Sequence, residues 1–403
     1  MKIKKFLTIK TFFILFLLGA LGFSIWYYQL SNRHQAIVKT EVLHFFHWMD
    51  ADWEIENSEN LLSLRSPDLL VDDIYESMDG PQSILNVNMN PDHEPLRWIT
   101  GFRTEVMREG ETKHNNDYLC HTNVDFFDAI HFRNLNIPER MALQYPRLTT
   151  LSNGINDIRF PEGFGFPVPD NEKFIVASRT LNHNIEDPFF KVKHNIDFFM
   201  ESGETKLRAL NPKAVVLLRD YDHDDPDNPD FSKNPALCLP LDLKNHKVVN
   251  KEGKWLSSHW VLPKGKDKYE FDITYQLYIF EDTTVHAMAA HLHPFATAFS
   301  LVDATTNETL FTFNCDNYDE KRGLKHVPVY SSAEGILLKG DHDYKLVLET
   351  DNPTDAFSDM MAVLFLYLAD TQMDEHLSKT YYSIPNQVRN DNSIKTDSKL
   401  SSD

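Results

Sequence analysis

An all-β fold is predicted for this sequence: two consecutive antiparallel β-sandwich domains behind an N-terminal transmembrane helix. Three observations predict it. From about Ser66 to Met200, short apolar runs alternate with turn clusters such as Asp79-Gly80-Pro81, Asn153-Gly154 and Pro161-Glu162-Gly163. From about Lys206 onward, Val215-Val216-Leu217-Leu218, the stretch Tyr269 to Tyr275, and Lys345-Leu346-Val347-Leu348 read as strands by alternation or β-branched content. No helical period is sustained through either region, so strands and helices do not take turns as they must in an α/β fold. The third observation is a single uncharged apolar run near the N-terminus.

That run extends from Thr11 to Tyr28, near the minimum length for a bilayer span, with Trp26, Tyr27 and Tyr28 placed for the interface. Lys2, Lys4, Lys5 and Lys10 precede it. By the positive-inside rule residues 1–10 stay cytoplasmic, 11–28 span, and everything beyond is exported. A cleaved signal peptide is the alternative, but no clean small-x-small site follows the apolar core, so an uncleaved anchor is expected. Residues 29–65 form a juxtamembrane segment, partly helical, because Val38, Val42, Phe45, Phe46 and Met49 fall at amphipathic spacing. His44 and His47 lie close enough there to share a metal, although such a pair more often decorates one helix face. The first sandwich is expected over 66–205 and the second over 206–372. Residues 373–403, rich in Ser, Asn, Asp and Lys, read as a disordered tail with little to bury.

Composition sets limits on function. The 403 residues suffice for two domains, and 42% hydrophobic content supports ordinary cores. Sixty acidic residues against forty basic ones give a formal charge of −20, which argues against a nucleic-acid partner, since phosphate is held by cations. Three cysteines, Cys120, Cys238 and Cys315, permit at most one disulfide. The acidic stretch Asp220 to Asp230 lacks the glycine and terminal glutamate of a calcium loop, and reads as a surface loop.

The residues that carry chemistry lie near the end. Ala290-His291-Leu292-His293 puts two imidazoles at i and i+2, hence on one face of a strand. Some seventy residues on, Ser358-Asp359-Met360-Met361 opens the apolar run Ala362 to Tyr367, a second buried strand. Two imidazoles and a thioether suit copper: the thioether favours Cu(I), and imidazole serves both oxidation states. Adjacent strand residues face opposite ways, so only one of Met360 and Met361 can meet the histidines. Two partly buried histidines and a core methionine are the bland alternative.

The order of Val261-Leu262-Pro263-Lys264-Gly265, the following strand, His291-Leu292-His293 and Ser358-Asp359-Met360-Met361 resembles the second domain of the copper type II, ascorbate-dependent monooxygenases. That family includes the peptidylglycine α-hydroxylating and dopamine β-monooxygenases. The resemblance spans roughly residues 90 to 370, through short motifs, and implies jelly-roll-like sandwiches. It implies an oxygen-activating copper on His291, His293 and Met361. In the first domain it places Cys120-His121 where the family has a His-His pair, with His183 nearest to the third position of an electron-transfer copper and His114 a further candidate. The cysteine is a departure, so that site is the less secure. One or two coppers per chain, with ascorbate or another small reductant as co-substrate, follow from the resemblance. So does molecular oxygen as a reactant beside a small-molecule substrate. The family's animal members are rich in disulfides, so three cysteines point to a bacterial inner-membrane version facing the periplasm. The peptide-amidating branch holds a carboxylate with an arginine, an asparagine and a tyrosine; here those positions are Ala289, Val363 and Phe365, which favours a neutral or apolar substrate. A copper-binding protein without turnover, or a metal-free sandwich that binds a partner, are the readings left beside the enzyme.

Overall fold

The computed structural model describes residues 9–141, 146–220, 248–249, 253–356 and 358–383. Helix α1 (Ile9–Tyr28) contains the expected apolar span, Thr11–Tyr28, with mean hydropathy 1.7 and none of it buried against the rest of the chain. A turn leads into α2 (Asn32–Phe45), and beyond it the fold is all-β.

One continuous sheet runs the length of the body. Its strands, in spatial order, are Glu54–Asn57, Leu61–Arg65, Phe190–Ser202, Leu96–Arg108, Phe164–Pro169, Arg208–Val216, Ala362–Ala369, Thr283–Leu292 and Tyr330–Leu338. The first five belong to one half of the chain and the last four to the other. They join where Arg208 and Ala209 pair in parallel with Phe164 and Gly165; the other described ladders are antiparallel. Each half has its own four-stranded facing sheet. The first is built from Gln82–Asn88, Lys173–Thr180, Leu119–Phe126 and Arg147–Ser152, the second from Gly265–Asp272, Tyr344–Asn352, Ala296–Asp303 and Glu308–Asn314.

The period of two is visible in Phe190–Ser202, where Phe190, Val192, His194, Ile196, Phe198 and Met200 are buried and the residues between them are not. Leu62, Val176 and Phe198 from the first half share one apolar core with Phe299, Leu348 and Leu364 from the second. Burying about 25 cal/mol per Å² of apolar surface across that seam makes the halves a single packed body rather than beads on a linker.

Three boundaries differ from expectation. Strands already form at Glu54–Asn57 and Leu61–Arg65, inside the segment assigned to 29–65, because Leu62 and Leu64 alternate onto the core. Thr274 and Tyr275, read as strand, belong to a short helix, Thr274–Leu277. Within 373–403, read as tail, the chain continues the helix Thr371–Thr380, capped by Asp370 on the Met373 amide and docked through Met373 and Leu377. The remainder of that tail, Cys238 and the loop from Tyr221 to Asp230 lie outside the described residues. Cys120 and Cys315 are free thiols.

Candidate metal centre

His291 lies on Thr283–Leu292 opposite Val363, and Leu292 opposite Ala362. Continuing that register one step sets His293 across from Met361. On the other side Trp260–Leu262 pairs with Ser358–Met360, with Trp260 opposite Met360, so one more step sets His259 beside Met361 as well. Period two then puts His291, His293 and Met361 on one face with Ala289, Val363 and Phe365. Met360 takes the other face and is fully buried in the core, whereas Met361 is partly buried at its edge.

The imidazoles form a chain. Ring centres of His291 and His293 are 5.4 Å apart, those of His293 and His259 6.0 Å, and those of His291 and His121 6.4 Å. A metal–nitrogen bond of about 2.0–2.1 Å puts a ring centre about 3.2 Å from the ion, so two imidazoles on one ion have centres at most about 6.4 Å apart. The His291–His293 spacing fits a bent pair on a single ion. His121 reaches the limit, where only diametric ligation would serve. The two halves of the chain thus contribute to one cluster, not to two separated ones.

Burial is nearly uniform: His121, His259, His291 and His293 each keep 5–8% exposure. Burial, and then the neighbouring His293 and His259, push His291 far below the ordinary imidazole range. His121 is lowered by burial and by Arg179, and His259 by burial to about 3. His121, His259 and His291 are therefore neutral at neutral pH, the state in which imidazole binds a metal.

Asp359 anchors the group. Its Oδ2 lies 2.8 Å from His293 Nδ1, and its Oδ1 accepts from Arg322 at 3.3 Å. Burial alone would raise its carboxyl, but His293 and Arg322 hold it well below the usual carboxylate range. Arg322 also binds Ser358 Oγ at 2.9 Å and Glu76 at 2.7 Å, which ties the second half to the first across the cluster. His291 Nδ1 is buried without a hydrogen-bond partner among the described residues, whereas His293 Nδ1 and Asp359 Oδ2 face each other. Buried polar atoms are satisfied in the great majority of cases, so His291 Nδ1 is a donor or acceptor position left open.

The other candidates are scattered. Cys120 Sγ sits 3.2 Å from His121 Nδ1, and burial pushes its thiol up to about 11, so it is a protonated neighbour rather than a thiolate. His183 is nearly enclosed, 3.8 Å from Glu76, and burial together with Arg322 lowers it to about 3. His183 therefore faces the Arg322–Asp359 group instead of completing a site with Cys120 and His121. His114 meets Glu105 at 3.2 Å on the large sheet, His44 contacts the Asp68 carbonyl at 2.8 Å, and His47 is exposed at a positive φ of 56°. Among the described residues no three His, Cys, Asp or Glu side chains converge as a metal site requires.

His259 escaped the sequence reading. Ser258-His259-Trp260 carries no ligand spacing, and only the pairing of Trp260 with Met360, a hundred residues away, brings it to the cluster.

No protein-family model matches this chain. No curated protein matches it either. Among solved structures, N-glycanase F (PNGase F), described in one case as a glycosylasparaginase from Flavobacterium meningosepticum, aligns at 10% identity and TM-score 0.32, covering 77% of this chain and 96% of that one. The STIV MCP aligns at 8% identity and TM-score 0.31, covering 75% and 96%. At such scores the likenesses carry no argument about function.

Proposed function

We propose that this chain is a membrane-anchored, copper-dependent monooxygenase-like protein, in which His291, His293 and Met361 hold one copper. On this reading it hydroxylates a C–H bond of a small, neutral or apolar substrate with molecular oxygen and a small reductant such as ascorbate. The observation that supports it most is the pair of buried imidazoles 5.4 Å apart on one face, with the Met361 thioether one step beyond the paired register beside them. Two nitrogens fall short of the three or four protein ligands usual for zinc, while the added sulfur suits a softer ion. Copper bound there would supply one-electron redox chemistry and oxygen activation.

The surrounding residues have definable roles on this reading. Asp359, held by Arg322, which also donates to Ser358 Oγ, sets the orientation of the His293 ring as a carboxylate behind a ligating imidazole does. Ala289, Val363 and Phe365, all buried beside His291, exclude water and offer no charge to a carboxylate. His121 stands where a second redox ion would have to dock, with Cys120 against its other side. Four lysines before the apolar helix support an ectodomain outside the cytoplasm, in the periplasm if the source is bacterial.

Copper content per full-length chain is the decisive measurement. Two equivalents support both centres, one supports the His291–His293 site alone, and none sinks the reading. Reductant-dependent oxygen uptake that rises with substrate separates the enzyme from a copper-handling protein, which would bind the metal without turnover.

A further inference from the structure

Helix α2 is amphipathic in an unusual sense, because both of its long faces are occupied by side chains suited to burial but only one is covered. Ala36 and Thr40 pack inward, Ala36 against a cluster containing Leu69, Val71, Tyr75 and Val106, and Lys39 ion-pairs with Asp72 at 2.5 Å. At 100° per residue the opposite face carries Val38, Val42 and Phe45, and Phe46 follows as the C-cap. Val42 is 37% exposed, Phe45 77%, Phe46 55%, and Trp48 just beyond the helix 70%. Their rings touch one another: Phe45 meets Phe46 edge-on at 5.2 Å, and Phe46 stacks on Trp48 at 5.4 Å.

We propose that this stripe is a second membrane contact, in which α2 lies along the surface of the bilayer that α1 crosses, with Val42, Phe45, Phe46 and Trp48 in the headgroup–acyl boundary. The inference rests on α1 being a retained anchor. Three arguments select the bilayer as the occupant. Only residues 29–31 separate α1 from α2, a reach of at most about 11 Å. Tyr27 Oη donates to the Gln35 carbonyl at 3.4 Å and Gln35 Nε2 to the Leu30 carbonyl at 2.9 Å, so the start of α2 is pinned where the chain leaves the span. Aromatic residues on one face of a surface helix are what the interface accepts, tryptophan above all. A second copy of the chain is the poorer fit: three rings of about 150–250 Å² each, partly exposed, offer on the order of 400 Å², about half of the roughly 800 Å² per partner that a stable pair covers.

The test reconstitutes the full-length chain into phosphatidylcholine vesicles whose acyl chains carry bromine near the headgroup, and reads tryptophan fluorescence. Trp26 at the end of α1 is the internal control for anchoring. The difference signal between wild type and Trp48→Phe should be quenched at least about twofold relative to vesicles of unbrominated lipid. In a Phe45→Ser/Phe46→Ser variant that still floats with vesicles, that quenching should fall while Trp26 stays quenched. Equal quenching of wild type and Trp48→Phe overturns the seat and leaves the anchor standing. Failure of the chain to float with vesicles overturns both. Cross-linking between Phe45→Cys copies, with Trp48 unquenched, assigns the stripe to a second copy and overturns the proposal.

Discussion

His194 and the His291–His293 pair are buried histidines on long strands of the same continuous sheet, and they differ in one respect. His194 is fully enclosed, with Ser178 Oγ against Nδ1 and Thr180 Oγ1 2.9 Å from Nε2, and Thr122 completes the hydroxyl group at 2.9 Å from Ser178. His291 and His293 keep 7% exposure each; Nδ1 of His293 faces Asp359 Oδ2 at 2.8 Å, and Nδ1 of His291 has no partner among the described residues. Burial lowers His194 and His291 alike, so a depressed imidazole does not mark a site. The open Nδ1 of His291 is what separates the two, since an unfilled hydrogen-bonding position costs about 1–3 kcal/mol. His194 is a finished structural histidine, and His291 is one with an open ring position.

The sharpest way to break this contrast is to remove each histidine. His291→Ala or His293→Ala should abolish copper at the proposed centre, read as lost stoichiometry in a Cu(I) competition titration. His194→Ala should leave copper unchanged and cost about 3 kcal/mol in urea unfolding, from the cavity and the stranded hydroxyls. Copper retained in both His291→Ala and His293→Ala would be fatal to the centre.

A pH series comes next. Burial lowers His194 to about 3, against an unfolded value of about 6.5. Below pH 6.5 the unfolded chain binds a proton that the folded chain refuses, so stability falls as the pH drops through that window. At about 1.4 kcal/mol per pKa unit, the loss attributable to His194 between pH 6.5 and pH 5 is about 2 kcal/mol. In His194→Gln that share of the slope should vanish; an unchanged slope would refute the buried, neutral assignment.

The two methionines sharpen the picture further. Met361→Ala should weaken Cu(I) about tenfold or more and Cu(II) less, since the lost donor is soft. Met360→Ala should leave copper binding alone and destabilise the fold by about 2–4 kcal/mol, as a large side chain leaves a packed core. The smallest effect belongs to Cys120→Ser. With its thiol pushed up to about 11, it should leave copper stoichiometry as it was, and loss of one equivalent would instead establish a second centre that uses the sulfur.

Much of this was written in local pattern. The i, i+2 spacing of His291 and His293 puts both rings on one face of any strand, and the same period of two separates Met361 from Met360 before any partner strand is known. The apolar, uncharged run from Thr11 to Tyr28 makes a helix long and apolar enough to cross a membrane. The helix Thr371–Thr380 had its signal too, in the cap Asp370 and the Met373–Leu377 pair, but composition of the whole tail concealed it. What only the tertiary structure decided is what meets across the sheet. The parallel joint of Arg208 with Phe164, the arrival of His259 beside Met361, and the meeting of His121 from one half with His291 from the other all join residues far apart in the chain. Side-chain direction is set by the dihedrals of each residue and its neighbours, so a sequence carries it locally. Strand partnership is set by which of many apolar edges bury each other best, a property of the whole packed core that no short stretch contains.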